Sequence, residues 1–198
     1  MTTTPSRYLY IVASETGSIV SRAIRQFTGA KYNHVSIALN GTLHTMYSFG
    51  RRLPWYPFWG GFVREEPGYG TLARFPDTRV RVVRLPVTEG QYRVVRDCLE
   101  EMDRCAGRFG YNYLGLFLAA LGLPCPCRDR YYCSEFVRDV LVRYDVVPAR
   151  RFGPVTQPQQ LLDELPEGEL VYEGVLNDYP PLADRAARLR SRLVFAAG

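Results

Sequence analysis

Tyr-Tyr-Cys-Ser-Glu-Phe-Val, residues 131–137, is the stretch around which the chain is organised. Prolines at positions 124 and 126 precede it, and no continuous helix forms there, because each proline lacks a backbone donor and restricts the residue before it. After it, apolar residues recur at the three- and four-residue spacing of an amphipathic helix: Phe136, Val137, Val140, Leu141 and Tyr144. This pattern predicts that Cys133 lies in the first turn of a helix.

Cys133 is predicted to lie on the packed side of that helix. At about 100° per residue it shares a face with Val137 and Val140. The unpaired amides and the positive dipole end of a first helical turn favour the thiolate, which is the nucleophilic form of cysteine. A catalytic cysteine fits this position, and so does a buried structural cysteine, because free cysteines are among the most buried residues. The histidines decide the matter, since a thiolate nucleophile needs a base.

The chain has two histidines, His34 and His44. Residues 33–39 alternate apolar with small or polar side chains, which predicts a half-buried strand that has His34 near its beginning. Asn-Gly at 40–41 predicts a two-residue hairpin turn, and residues 42–49, which include His44, are the predicted return strand. His34 is the candidate general base, and a surface or hydrogen-bonded structural histidine is the alternative.

The length of this turn determines which residues share the face of His34. A two-residue turn pairs position 37 with 44 and position 34 with 47, so that Tyr47 lies on the face of His34. A one-residue change in the loop reverses the two faces and moves Ser48, Met46 and His44 across.

Together these segments resemble the circularly permuted branch of the NlpC/P60 papain-like superfamily, in which the histidine strand precedes the cysteine helix. The matching motifs are His-Val-Ser-Ile-Ala-Leu at 34–39, Met-Tyr-Ser-Phe-Gly-Arg at 46–51 and the cysteine stretch. The resemblance covers about residues 8–162. It implies that Cys133 is the nucleophile and His34 the general base.

The resemblance also implies a third, polar residue that orients the base from the strand after the histidine. That strand contains no carboxylate or amide, and it offers Tyr47, Ser48 or His44. Tyr47 is the candidate that we carry forward. Glu135, in the first turn of the cysteine helix, fits a capping role as well as a catalytic one.

The implied fold is α+β, with a papain-like antiparallel sheet packed against helices and the cysteine at a helix N-terminus. One domain over residues 1–198 accommodates it, because 46% hydrophobic and 23% charged residues are ordinary globular proportions. The hydrophobic periodicity predicts further strands at 7–13, 79–87 and 170–175. It predicts helices at 18–27, 89–105, 109–121 (buried on several sides) and 156–162.

Two segments stand apart from this pattern. Residues 51–71 are rich in proline, glycine and aromatic side chains, and they predict a long loop that either lines the substrate cleft or covers one sheet face. Trp55 and Trp59 of this loop are candidate substrate-binding residues, as are Tyr132 and Ser134 beside the cysteine. The arginine-rich tail at 184–198 is expected to be a solvated helix or a frayed end.

Composition argues against several other classes of protein. A net charge of +5 is compatible with binding to nucleic acid. The arginines are spread along the chain, however, and no nucleic-acid-binding motif is present. The N-terminus lacks the pattern of a signal peptide, and the longest apolar run, at 114–123, is about half the length of a membrane span. Five cysteines are compatible with a reducing compartment, so we expect a cytoplasmic protein without a cofactor or a metal.

These observations predict a cysteine hydrolase or acyltransferase that acts on a small amide, a peptide or a lipid-like ester through a thioester on Cys133. One alternative is a catalytically inactive papain-like module that only binds. Another is a redox-sensing thiol, which predicts a reversible disulfide between Cys133 and Cys125 or Cys127.

Overall fold

The structure is a computed structural model that describes residues 7–15, 31–53, 56–165 and 167–182. The predicted helix at 18–27, the candidate Trp55 and the predicted tail at 184–198 lie outside these residues.

An eight-stranded mixed sheet forms the centre of this α+β fold. Its strand order is β7-β6-β4-β3-β2-β1-β5-β8, and neighbouring strands run antiparallel except for β6 and β7. The strands are β1 Arg7–Glu15, β2 His34–Ala38, β3 Met46–Leu53, β4 Tyr56–Glu65, β5 Arg79–Val87, β6 Gly110–Tyr111, β7 Arg130–Tyr131 and β8 Glu169–Val175.

Five α-helices are present in the described part of the chain. They are α1 Gly70–Arg74, α2 Glu89–Arg104, α3 Tyr113–Ala120, α4 Cys133–Arg143 and α5 Pro158–Asp163. None of these helices has the length and apolar character that crossing a membrane requires.

Apolar side chains are buried on both faces of the sheet. On one face, Ile11 and Ile37 pack with Val95 of α2, Val137 of α4 and Leu161 of α5. The second cluster combines β1, β2, β3 and β5 with α1 and the segment after β8. Its members are Val12, Ala38, Leu43, Met46, Leu72, Val80, Val82, Leu176 and Tyr179.

Local sequence patterns predicted several elements correctly. β1 lies between β2 and β5, β5 has the predicted bounds, and β8 is an edge strand. The predicted helix at 89–105 is α2, and the Thr88 hydroxyl accepts from the Gln91 amide while the Gln91 side chain accepts from the Thr88 amide. Short helix α5 has Pro158 in its first turn, where a missing backbone donor costs little.

The predicted two-residue turn between β2 and β3 is wrong. Ile37 pairs with Tyr47, so the connection is longer and β3 begins at Met46. The Asn40 side chain accepts from the Thr42 amide, and Leu43, at φ 53°, turns into the second apolar cluster. Burial of Leu43 thus holds residues 42–45 out of the return strand.

The prediction of a loop over residues 51–71 is also wrong, because β3 and β4 occupy most of this segment. Its glycines permit close approach of strands. A Cβ atom on Gly61 would lie 2.3 Å from the carbonyl oxygen of Phe109, next to β6. The Arg52 guanidinium also donates to that carbonyl, at 2.7 Å.

The segment 109–121 is shorter as a helix and more exposed than predicted. Residues 110–111 form β6, and α3 packs inward through Gly115 and Ala119. Leu114 and Phe117 are 62% and 65% exposed. The prediction of a helix buried on several sides is therefore wrong.

Candidate active site

His34 and Glu65 form an ion pair at the centre of the sheet. Nε2 of His34 lies 2.8 Å from Oε1 of Glu65, and the Ser36 hydroxyl donates to Oε2 of the same carboxylate at 2.5 Å. The His34 and Glu65 side chains are only 20% and 18% exposed. The carboxylate is therefore held on both oxygens in a site that is largely shielded from water.

Cys133 approaches this pair from the start of α4. The helix buries Val137 and Val140 against the sheet, and Cys133, one turn before Val137, is 3% exposed on the same side. The Cys133 side chain is one of the groups that raise the pKa of the His34 imidazole. The described residues thus bring a thiol into the electrostatic surroundings of an imidazole that is paired with a carboxylate.

The charges of this site reinforce each other. Burial alone lowers the pKa of His34, but the Glu65 carboxylate and the Cys133 side chain outweigh it and hold that pKa well above its usual range. Burial raises the pKa of Glu65, and the His34 charge with the hydrogen bonds from His34 and Ser36 reverses the effect and lowers it. At neutral pH this arrangement favours an imidazolium beside a carboxylate.

A glycine allows this pair to pack closely against β3. A Cβ atom on Gly50 would lie 3.7 Å from Cε1 of His34 and 3.8 Å from Oε1 of Glu65. It would also lie only 3.3 Å from Cγ2 of Val63. Branched side chains at position 50 would therefore enter the space that the imidazole and the carboxylate occupy.

The first turn of α4 is capped by Glu135. Its Oε2 accepts from the Tyr132 amide at 3.3 Å and from Nδ2 of Asn112 at 3.4 Å. Burial raises the pKa of Glu135, while the bond from Tyr132 opposes that rise. These contacts anchor the backbone that carries Cys133, so Glu135 has a capping role here.

Tyr111 of β6 lies beside the same helix terminus. Burial, followed by the electrostatic effect of Cys133, raises the pKa of its phenol well above the usual range. The Tyr111 ring also packs against that of Tyr113 in a tilted arrangement, with a centroid distance of 4.6 Å. The phenol therefore stays protonated near neutral pH, and Tyr111 pairs with Tyr131, two positions before Cys133.

The carboxylate that contacts His34 comes from β4, and not from the strand after the histidine. Tyr47 lies opposite Ile37, and its side chain joins the core under α4. The Ser48 hydroxyl donates to the carbonyl of Val35 at 2.6 Å, and His44 lies in the loop before β3. Sequence reasoning missed Glu65 because it placed this residue within the predicted loop at 51–71, where no strand would carry it to His34.

The other candidate residues occupy different surroundings. Tyr132 and Ser134 flank Cys133 and are 6% and 1% exposed, whereas Trp59 on β4 is 50% exposed. The pKa of Tyr132 is raised by burial to about 12. Tyr132 and Ser134 therefore support the helix terminus, and Trp59 presents an aromatic surface to solvent.

The described residues contain no group of three or more His, Cys, Asp or Glu side chains that could hold a metal ion. All five cysteines are free, with Cys127 exposed and Cys125 half-buried.

Comparisons of the chain with protein-family models, curated proteins and solved structures find no match.

Proposed function

We propose that this protein is a cysteine-dependent hydrolase or acyltransferase with a permuted papain-like fold. The single observation that carries the proposal is the ion pair of His34 with Glu65, to which Cys133 adds by raising the pKa of the same imidazole. A nucleophile, a base and a group that orients the base are the three parts that such catalysis needs.

In the first half-reaction, the Cys133 thiolate attacks the acyl carbon of an amide or ester, and the thiol proton resides on His34. The tetrahedral intermediate collapses with cleavage of the bond to the leaving group. The His34 imidazolium gives its proton to the departing amine or alcohol. The product on the enzyme is a thioester of Cys133.

In the second half-reaction, the neutral His34 takes a proton from water or from an acceptor amine or alcohol. The deprotonated oxygen or nitrogen attacks the thioester, and the Cys133 thiolate departs. Water yields a carboxylic acid, and another acceptor yields a new ester or amide. Glu65 stays ionised throughout and stabilises each imidazolium that forms.

Backbone and phenol donors support stabilisation of the oxyanion. Amides in the first turn of an α-helix lack intrahelical acceptors, and the amide of Cys133 belongs to such a turn. We assign this amide and the hydroxyl of Tyr111 to the oxyanion of the tetrahedral intermediate. The proposed substrates of the enzyme are small amides, peptides and lipid-like esters.

The decisive experiment is alkylation of Cys133 by iodoacetamide across a pH series. The other four cysteines are replaced by serine, and a small reagent is used because Cys133 is 3% exposed. We expect reaction well below the pKa of a free thiol, about 8.5. His34→Ala should move the onset to higher pH and lower turnover of amide or ester substrates by about a hundredfold or more.

His44→Ala is the matched control, because His44 lies in the loop before β3. It should leave the alkylation profile unchanged. The proposal would be refuted if Cys133 were unreactive at every pH, or if the pH dependence of its alkylation were unchanged in His34→Ala. The protein would then be a scaffold used for binding alone.

A further inference from the structure

The outer face of α3 is an apolar surface of unusual exposure. Leu114, Phe117, Leu121 and Leu123, here called the α3 patch, are 62%, 65%, 62% and 53% exposed. At 100° per residue the first three lie within about 60° of arc, opposite the inward-facing Gly115 and Ala119. Large apolar side chains grouped in this way on a surface mark an interaction site.

The patch is held in place by its own turn. Gly122, at φ 75°, ends α3, and the amides of Gly122 and Leu123 donate to the carbonyls of Ala119 and Leu118, both at 3.0 Å. Nδ2 of Asn112 donates to the carbonyl of Cys125 at 2.9 Å, which draws the following loop back to the beginning of the helix. The exposed side chains thus sit on an ordered unit with satisfied backbone ends.

Charges around the patch have one dominant sign. Residues 105–128 contain no aspartate or glutamate, and they include Arg108 and Arg128. Arg130 on β7 is also exposed, and Asp129 is the acidic residue beside it. Within the described residues, no ion pair engages these three arginines.

We propose that the α3 patch docks onto the surface of an anionic phospholipid bilayer. Leucine and phenylalanine side chains enter the boundary between headgroups and acyl chains, and the arginines contact lipid phosphates. An exposed apolar helix face with arginines in the flanking segments matches a negatively charged membrane surface. Two copies of this chain that met patch to patch would instead bring arginines of like charge together.

Docking there would place the membrane next to the candidate active site. Asn112 precedes α3 and also contacts Glu135 of the capped cysteine helix, and Tyr111 pairs with Tyr131, two residues before Cys133. The docking surface does not depend on the chemistry proposed for Cys133, so either proposal can fail alone.

Co-sedimentation with vesicles tests the docking surface. The full chain is mixed with vesicles of phosphatidylcholine and phosphatidylglycerol in equal parts, or of phosphatidylcholine alone. We expect stronger binding to the mixed vesicles and a loss of at least about tenfold in affinity for a Leu114→Ser, Phe117→Ser double variant. An Arg128→Gln, Arg130→Gln variant should lose most of the preference for phosphatidylglycerol.

Leu170→Ser with Val171→Ser is the matched control. These residues are 50% and 39% exposed on β8, at the opposite edge of the sheet from β7. The control should bind as the wild type does, and thermal melts should show that all variants are folded. Equal binding by the α3 variant, no binding by the wild type, or patch-dependent self-association without vesicle binding would each overturn the proposal.

Discussion

Glu65 lies 31 residues beyond His34 in the chain, yet its carboxylate is 2.8 Å from the imidazole. Its neighbour Glu66 instead pairs with Arg64 at 2.6 Å, and Arg64 also lies 3.8 Å from Asp103. Two adjacent glutamates therefore differ in role, because Glu65 is the last residue of β4 and Glu66 lies just beyond the strand. Removal of the charge at position 65, and not at position 66, is therefore expected to affect Cys133.

Glu65→Gln should lower the pKa of the His34 imidazolium and shift the onset of Cys133 alkylation to higher pH. The reason is that Glu65 is the largest influence raising the pKa of His34. We expect a rate of alkylation near neutral pH about tenfold lower than that of the wild type. Stopped-flow alkylation with Glu66→Gln as the control measures this, and an equal effect of the two variants would contradict the assignment of Glu65.

Glu135→Ala should lower the free energy of unfolding by about 1 kcal/mol, because the Tyr132 amide loses its acceptor at the start of α4. Glu135→Gln keeps an accepting oxygen and should restore most of that stability. Urea denaturation measures both. If Glu135→Ala were fully stable but its Cys133 unreactive, the residue would act in the chemistry instead of the cap.

At the scale of elements, β4 and β6 meet through glycines. A Cβ atom on Gly61 would lie 2.3 Å from the carbonyl oxygen of Phe109, and one on Gly60 would lie 2.9 Å from Cβ of Tyr111. Neither distance is compatible with a side chain unless a strand moves. Since β6 leads into the segment beside Cys133, this contact also positions the candidate site.

Gly61→Ala should therefore destabilise the protein by about 1–3 kcal/mol, the usual range for overpacking. Gly107→Ala is the control, because no atom lies within 4 Å of the Cβ that it would add. Thermal or urea unfolding of the two variants measures the difference. Equal stability of both would mean that β6 does not lie against β4 as described.

At the scale of the whole molecule, the buried pair couples folding to pH. Folded His34 keeps its proton above the ordinary pKa of 6.5, so its stabilising contribution is complete below that pH and is lost as pH rises through the raised value. Folded Glu65 has a lowered pKa, so its contribution is present above 4.5 and is lost as pH falls through the lowered value. Both contributions are present together between about pH 4.5 and 6.5.

The stability advantage of the wild type over His34→Gln should accordingly shrink above pH 6.5. The difference in unfolding free energy between the two proteins should fall by at most about 1.4 kcal/mol per pH unit, the slope expected when one proton is linked to folding. Urea titrations at several pH values measure it, with His44→Gln expected to keep the wild-type slope. An advantage that grows with pH would show that His34 is neutral in the folded protein.

The sequence by itself determined the elements whose signals are local. Hydrophobic periodicity located β5 and α2, and it placed Cys133 at the start of α4 and His34 at the start of β2. Periodicity succeeds there because each of these elements buries one continuous stripe or an alternating set of side chains.

Only the tertiary structure decided which carboxylate meets His34, how β2 and β3 are paired, and which face of α3 is open. The pairing depends on the burial of Leu43 in a distant cluster, and Glu65 reaches His34 only because β4 is a strand. The exposure of Leu114 and Phe117 depends on which residues of α3 pack inward. Strand register and solvent exposure are set by contacts between segments far apart in the chain, and such contacts leave no local pattern to detect.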